Sequence, residues 1–314
     1  MAVGLLDRRL LFVTGKGGVG KTTIAAGLAL LAAEHGQRTL VCEVDAKGDL
    51  AGSYESGDIT FEPRELHPQL FAMAMDTEAS LREYLAVQLK LPRFTRLGGL
   101  AHTFDFLANA APGVKEILTV GKLAWEVRER HYDLVVVDAP ASGHVIGQLQ
   151  APQAINELLS VGPIREQTGW VLEVLTDAAT TGVVVVAAPE EMPVTESLEL
   201  VDRLAQTNID LAAVVVNRVL PELFGRAEEQ VFERLALPEP AAALAAAVGP
   251  ASASVVDAAR LAVTLRRTRA GHLARLREGL GPSRPVLYVP ELFARTHGLR
   301  ATRQVAGALD AELS

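Results

Sequence analysis

Along this chain, short and almost unbroken apolar runs alternate with longer stretches in which apolar residues return every three or four positions. The runs are "LLFV", "TLVCEV", "LFAMAM", "DLVVVD", "GVVVVAAP", "LAAVVVN" and "PVLYVP". Runs without polar alternation suit strands covered on both faces, as in a parallel sheet. "TIAAGLALLAAEHG" follows the first run with helical spacing and is closed by Gly36. The pattern predicts a doubly wound α/β fold with a mainly parallel sheet of about seven strands. Residues 77–130 and 148–178 are longer than a crossover needs and read as mainly helical insertions on the ligand side of the sheet. Residues 1–314 read as one domain. Residues 238–254, rich in Ala and Pro, read as a loose connection. "LRRTRAGHLARLRE" carries five arginines at helical spacing and reads as a solvated face.

Composition narrows this picture. Hydrophobic residues make up 49% of 314 and aromatics only 5%, so the core is expected to be aliphatic. A net charge of −8 argues against an extended nucleic-acid face. One cysteine, Cys42, excludes an intrachain disulfide and a multi-cysteine metal site, and its apolar run marks it as a small buried hydrophobe. The first residues enter a strand almost at once, leaving no room for a signal peptide, and no apolar run nears the ~20 residues that cross a bilayer. A cytoplasmic protein is expected, with membrane contact at most indirect.

Candidate chemistry concentrates in "FVTGKGGVGKTTIAAGLALLAA", residues 12–33. Gly15, Gly17 and Gly20 satisfy G-x-G-x-x-G, a dinucleotide fingerprint for which Glu43 or Asp45 would bind the ribose. Gly15, Gly20, Lys21 and Thr22 also satisfy G-x-x-x-x-G-K-[ST], the more demanding pattern because it fixes a lysine and a hydroxyl. In that reading backbone N–H groups of Gly15 to Thr23, including Gly17, Gly18 and Val19, surround phosphate oxygens at the positive end of a helix. Lys21 reaches the terminal phosphates of ATP and Thr22 binds Mg²⁺. Asp138, at the end of "DLVVVD", is the second carboxylate for the metal, and Asp45 is placed to orient or deprotonate the attacking water.

The early lysine, Lys16, makes "KGGVGKTT" resemble the deviant Walker A motif K-G-G-x-G-K-[ST] of MinD, ParA, the nitrogenase iron protein and the ArsA-type ATPases. The resemblance implies that Lys16 crosses a dimer interface to the nucleotide of the opposite subunit while Lys21 serves its own. Nearly the whole chain resembles the ArsA family, which includes the arsenite-pump ATPase and the targeting factor for tail-anchored proteins. "DAPASGH" (138–144) is similar to that family's D-T-A-P-T-G-H, and "APGVKEIL" (111–118) to its P-G-x-x-E. "VVNRV" and "LYVPELF" resemble its adenine-side elements, which implies that Asn217 and Pro290 flank the base. The pattern is closest to actinobacterial-type ArsA-like ATPases with reduced helical subdomains, where two paralogous chains pair. A homodimer or such a heterodimer is therefore expected.

The chain also departs from the family. It reads "DAKGD" (45–49) where the family has D-P-A-H, so the coupling of hydrolysis to switch movement is in question. It lacks the targeting factor's C-x-x-C and the pump's metalloid-binding cysteines, and has only four methionines for an apolar client groove. The reading is a Mg²⁺-dependent ATPase working as a dimeric switch. Its client is unassigned, with membrane-protein targeting and anion transport the directions the resemblance opens. The alternatives are a MinD/ParA-type positioning ATPase, an ATP-binding scaffold with little hydrolysis and, more distantly, a dinucleotide oxidoreductase.

Overall fold

The computed structural model describes residues 3–45, 48–89, 113–158, 163–222, 225–235, 237–293 and 298–314. Its strands are β1 (Leu10–Gly15), β2 (Thr39–Glu43), β3 (Arg64–His67), β4 (Leu70–Ala74), β5 (Leu134–Ala141), β6 (Thr181–Ala187), β7 (Leu211–Val219) and β8 (Val286–Pro290). They form one sheet in the order β3-β4-β2-β5-β1-β6-β7-β8. Every neighbouring pair is parallel except β3–β4. All seven apolar runs are strands of this sheet. The addition is β3, "RELH", whose exposed and half-buried residues give no apolar signal because it is a short antiparallel edge.

The central strands are buried on both faces, and alternate side chains feed two cores. Leu10 and Phe12 of β1 join one cluster, while Leu11 and Val13 join the other. The first core is covered by α4 (Val114–Arg128), α5 (Ser142–Leu158), α6 (Pro163–Thr176), α7 (Glu191–Leu204) and the end of α10 (Ser252–Leu280). The second is covered by α1 (Lys21–Glu34) and α11 (Leu299–Leu313), with Leu50 of α2 (Asp49–Ser53).

The helices of the two long stretches share in this packing. In α6, Val171 and Leu175 are buried in the first core, as are Val120, Leu123, Ala124 and Val127 of α4. Lys122 of α4 ties α3 (Thr77–Leu89) down through Glu83, at 2.6 Å, and also pairs with Glu126 on its own helix, at 2.6 Å. Most of "LAHTFDFLANAAPG" lies outside the described residues.

One further reading changes. The supposed loose connection is largely helical: Pro238–Val248 forms α9 and α10 begins at Ser252. Proline is tolerated in a first turn and alanine is the best helix former, so the same composition supports a helix. The arginine stretch of α10 is exposed at Arg267, Arg275 and Arg277, as expected of a solvated face, and three of its arginines also pair with neighbouring elements. Arg267 meets Glu229 of α8 (Arg226–Leu235) at 2.7 Å, Arg266 meets Glu222 at 3.1 Å, and Arg269 lies 3.7 Å from Glu291.

α1 is buried from Ile24 to Ala33 because it lies between the sheet and α11. Gly27 permits that contact, since a Cβ there would meet Val305 Cγ1 at 2.6 Å. Gly27→Val is expected to cost about 1–3 kcal/mol by overpacking. Val305→Ala in the same chain should return part of that loss. Chemical denaturation checks this, and additive losses would refute the proposed contact.

Candidate active site

β1 runs between β5 and β6, and the glycine loop emerges from its end into the start of α1. Two glycines are demanded by close contacts within the chain. Gly15 has φ +155°, and a Cβ there would lie 2.2 Å from the Val186 carbonyl of β6. Gly20 has φ +93°, and its Cβ would lie 2.3 Å from Asn217 Nδ2. Gly18, at φ +84°, is held in the left-handed region that favours glycine, yet like Gly17 it faces open space, with nothing within 4 Å of an added Cβ. Their small size is unexplained by internal packing and leaves a cradle that side chains would fill. α1 starts without a side-chain cap and without an acidic residue in its first turn. Its first N–H groups therefore suit an anion.

Three contacts hold the loop in shape. Asn217, at the end of β7 and 6% exposed, donates from Nδ2 to the Val19 carbonyl at 2.9 Å. Lys21 Nζ donates to the Lys16 carbonyl at 3.3 Å. Thr14 Oγ1 donates to the Pro140 carbonyl at 2.9 Å, fastening β1 to the chain just past Asp138. Asn217 Oδ1 accepts from the Arg218 N–H at 2.9 Å, and Arg218 itself has φ +60°. Asn217 thus braces the loop, and its amide is engaged within the chain.

Beneath the loop, the Thr22 hydroxyl donates to Asp138 Oδ2 at 2.6 Å. Asp138 is 7% exposed, and burial is the main reason its carboxyl is pushed up to about 6. The Thr22 hydrogen bond and the Lys21 charge oppose that rise, while Glu43 and Asp49 add to it. Glu43 is its register partner on β2, is 3% exposed, and accepts from the Asp49 N–H at 3.1 Å. A hydroxyl and an adjoining carboxylate are hard oxygen donors of the kind that suit Mg²⁺ beside phosphate. Among the described residues no cluster of three or more His, Cys, Asp or Glu side chains could hold a metal alone.

The other predicted residues lie at the same end of the sheet. The Val44 N–H donates to the Asp138 carbonyl at 3.2 Å, and Asp45 follows as an exposed residue. Thr23 is half-buried in the first turn of α1. Pro290 ends β8 opposite Val219, three strands away from β1. Sequence reading offered Glu43 only as a ribose ligand of the dinucleotide alternative, and the fold sets it beside Asp138. It missed one acid: Glu196 of α7 carried no signal, yet it forms an ion pair with Lys16 from 180 residues away.

Asp138 yields a stability prediction whose sign follows from its folded pKa lying above the usual value. The folded state then holds the proton more tightly, so the contribution is most favourable below about pH 4 and is lost as pH rises to about 6. At pH 8 the cost is on the order of 2–3 kcal/mol. Asp138→Asn is expected to raise the Tm of the nucleotide-free protein at pH 8 and to do so less at pH 5. A lower Tm at both values would contradict the buried-charge account.

Comparison with known proteins identifies relatives of the chain. The model of the anion-transporting ATPase family matches residues 8–169 and 164–234, which include the loop, Asp45, Asp138 and Asn217 but not Pro290. ATPase BagA of Mycobacterium tuberculosis is 33% identical over 224 residues, 68% of this chain and 66% of that protein. The match therefore spans slightly less than two thirds of the mycobacterial relative. ATPase GET3 of Podospora anserina is 27% identical over 256 residues, 69% of this chain and 75% of that one. A putative arsenical pump-driving ATPase of Aquifex aeolicus is 27% identical over 248 residues, 68% and 81% of the two chains. With the family model covering more than half of its length, the chain belongs to the anion-transporting, ArsA-type ATPase family.

Proposed function

We propose that the chain is a Mg²⁺-dependent ATP hydrolase with a deviant Walker A loop, one domain whose nucleotide state switches an assembly of two chains. The observation that carries this reading is the Thr22 hydroxyl bonded to buried Asp138 beneath a loop with open glycines. Lys21 and the N–H groups of Gly15, Gly17, Gly18, Val19, Gly20, Thr22 and Thr23 would hold the phosphates. Thr22 and Asp138 would hold the metal, which when bound neutralises phosphate charge. Asp45 would orient the attacking water and accept its proton, as the bond between the β- and γ-phosphates breaks and ADP leaves. Asn217 and Pro290 would border the adenine.

Lys16 would reach the nucleotide of the second chain, where a cation supplied across an interface makes turnover depend on assembly. We take that chain to be an identical copy. A paralogous ATPase is the other reading, and the mass of the native assembly held with MgATP distinguishes them. A cytoplasmic site of action accords with this function. The client is left open, but soft arsenic(III) is disfavoured: Cys42 is buried and its thiol is pushed well above the ordinary range. Among the described residues no helix is long and apolar enough to cross a membrane. The C-terminal helix α11 buries Val305, Ala306 and Leu309 against α1 and the sheet, which weighs against a membrane-positioning role for it.

Lys21→Ala is expected to weaken ATP binding by about 1.5–3 kcal/mol, the scale of a charge-assisted hydrogen bond. Lys16→Ala should bind ATP nearly normally yet turn over slowly. Equilibrium binding with a fluorescent ATP analogue, paired with phosphate release, separates the two. Normal turnover by Lys16→Ala at assembling concentrations would remove the exchange of lysines.

A further inference from the structure

α7 packs against β1 and β6, and buries Val194, Ser197, Leu200, Val201 and Leu204 in doing so. This fixes where its intervening side chains point. Glu196, one residue before buried Ser197, stands on the shoulder beside the glycine loop, and its carboxylate takes the Lys16 amine. The backbone of Lys16 is held from the other side, its carbonyl accepting from Lys21. Two lysines thus share one tight loop. α7 gives Lys16 its own anion. Lys16 and Glu196 are 30% and 31% exposed, so the pair is open to water and to competing anions. A pair of that kind is a weak tie, easily exchanged for a polyphosphate.

We propose that Glu196 is the resting partner of Lys16, a positioning residue that must release the amine before Lys16 can reach the nucleotide of a second chain. The proposal rests on the two-chain reading above. Its physical content is competition for one ammonium. In a lone chain the carboxylate of Glu196 is beside it, while in an assembly the phosphates of the neighbouring site carry more charge and replace it. Glu196 then raises the chain concentration at which turnover begins, and holds a single chain with ATP in a slow state.

The test uses the full chain and its Glu196→Gln, Lys16→Ala and doubly substituted forms. Phosphate release per chain is measured with MgATP across a range of protein concentrations. Glu196→Gln is expected to move the half-maximal concentration down by several-fold, and the double variant to follow Lys16→Ala. A midpoint that is unchanged or raised in Glu196→Gln overturns the proposal. So does a downward shift of the same size in the Lys16→Ala background, because the effect would then not pass through that amine.

A second arm keeps the proposal separable from the functional reading. Lysine-selective amine labelling of nucleotide-free protein, read by peptide mass spectrometry, should proceed faster at Lys16 in Glu196→Gln than in the unsubstituted chain. If no form releases phosphate at any concentration, the ATPase reading fails, and labelling alone then decides the pairing. Equal labelling rates refute the pairing, whatever the turnover.

Discussion

Asp138 carries a carboxylate in a place where charge is costly, and the site is arranged around that cost. It ends β5, next to β1, and sits under the loop with one oxygen bonded to Thr22 and with Glu43 beside it on β2. Burial holds its proton affinity high, and among the described residues the Thr22 hydroxyl and the charge of Lys21 offset this. A divalent cation beside phosphate relieves the same strain far more strongly. The fold thus keeps a buried carboxylate whose charge is unfavourable, a common feature of functional sites, and on the function proposed above the bound cation would relieve it.

The sheet order makes that position possible. Placing β1 between β5 and β6 brings the glycine loop, the Asp138 strand and the base of α7 to one end of the central strands, though they are far apart in sequence. The outer strands β7 and β8 add Asn217, which braces Val19, and Pro290. Arg269 of α10 joins this end by donating to the Arg218 carbonyl at 3.3 Å, close to its contact with Glu291. The arginine-rich helix is thus part of the frame around the site, where a loose polycation would have suggested a nucleic-acid face.

Much of this was legible in the sequence, for reasons that also explain what was not. Strands buried on both faces of a parallel sheet must be apolar throughout, so β1, β2 and β4 to β8 announce themselves. An exposed edge such as β3 obeys no such rule. α9 was misread because proline and alanine suit a linker and a capped helix alike, and only tertiary context separates them. The glycine loop is local in sequence, so its spacing stands out there. Glu43 stood out as a charge in an apolar run, but its place beside Asp138 comes from strand register, and Glu196 enters through a helix packing that no local pattern encodes. Asn217 was placed at the right end of the sheet, but its bond to the loop depends on a close approach visible only in the fold.

The central claim is that two lysines in one loop serve two different nucleotides. It is tested most directly by mixing Lys16→Ala and Lys21→Ala chains, each nearly inactive alone, and measuring phosphate release. In a mixed pair the Lys16→Ala chain still binds ATP, and the Lys21→Ala chain still offers Lys16 to it. The account predicts that the mixture recovers turnover well above the sum of the separate chains. A mixture no more active than that sum would show that Lys16 does not act on the nucleotide of a neighbouring copy.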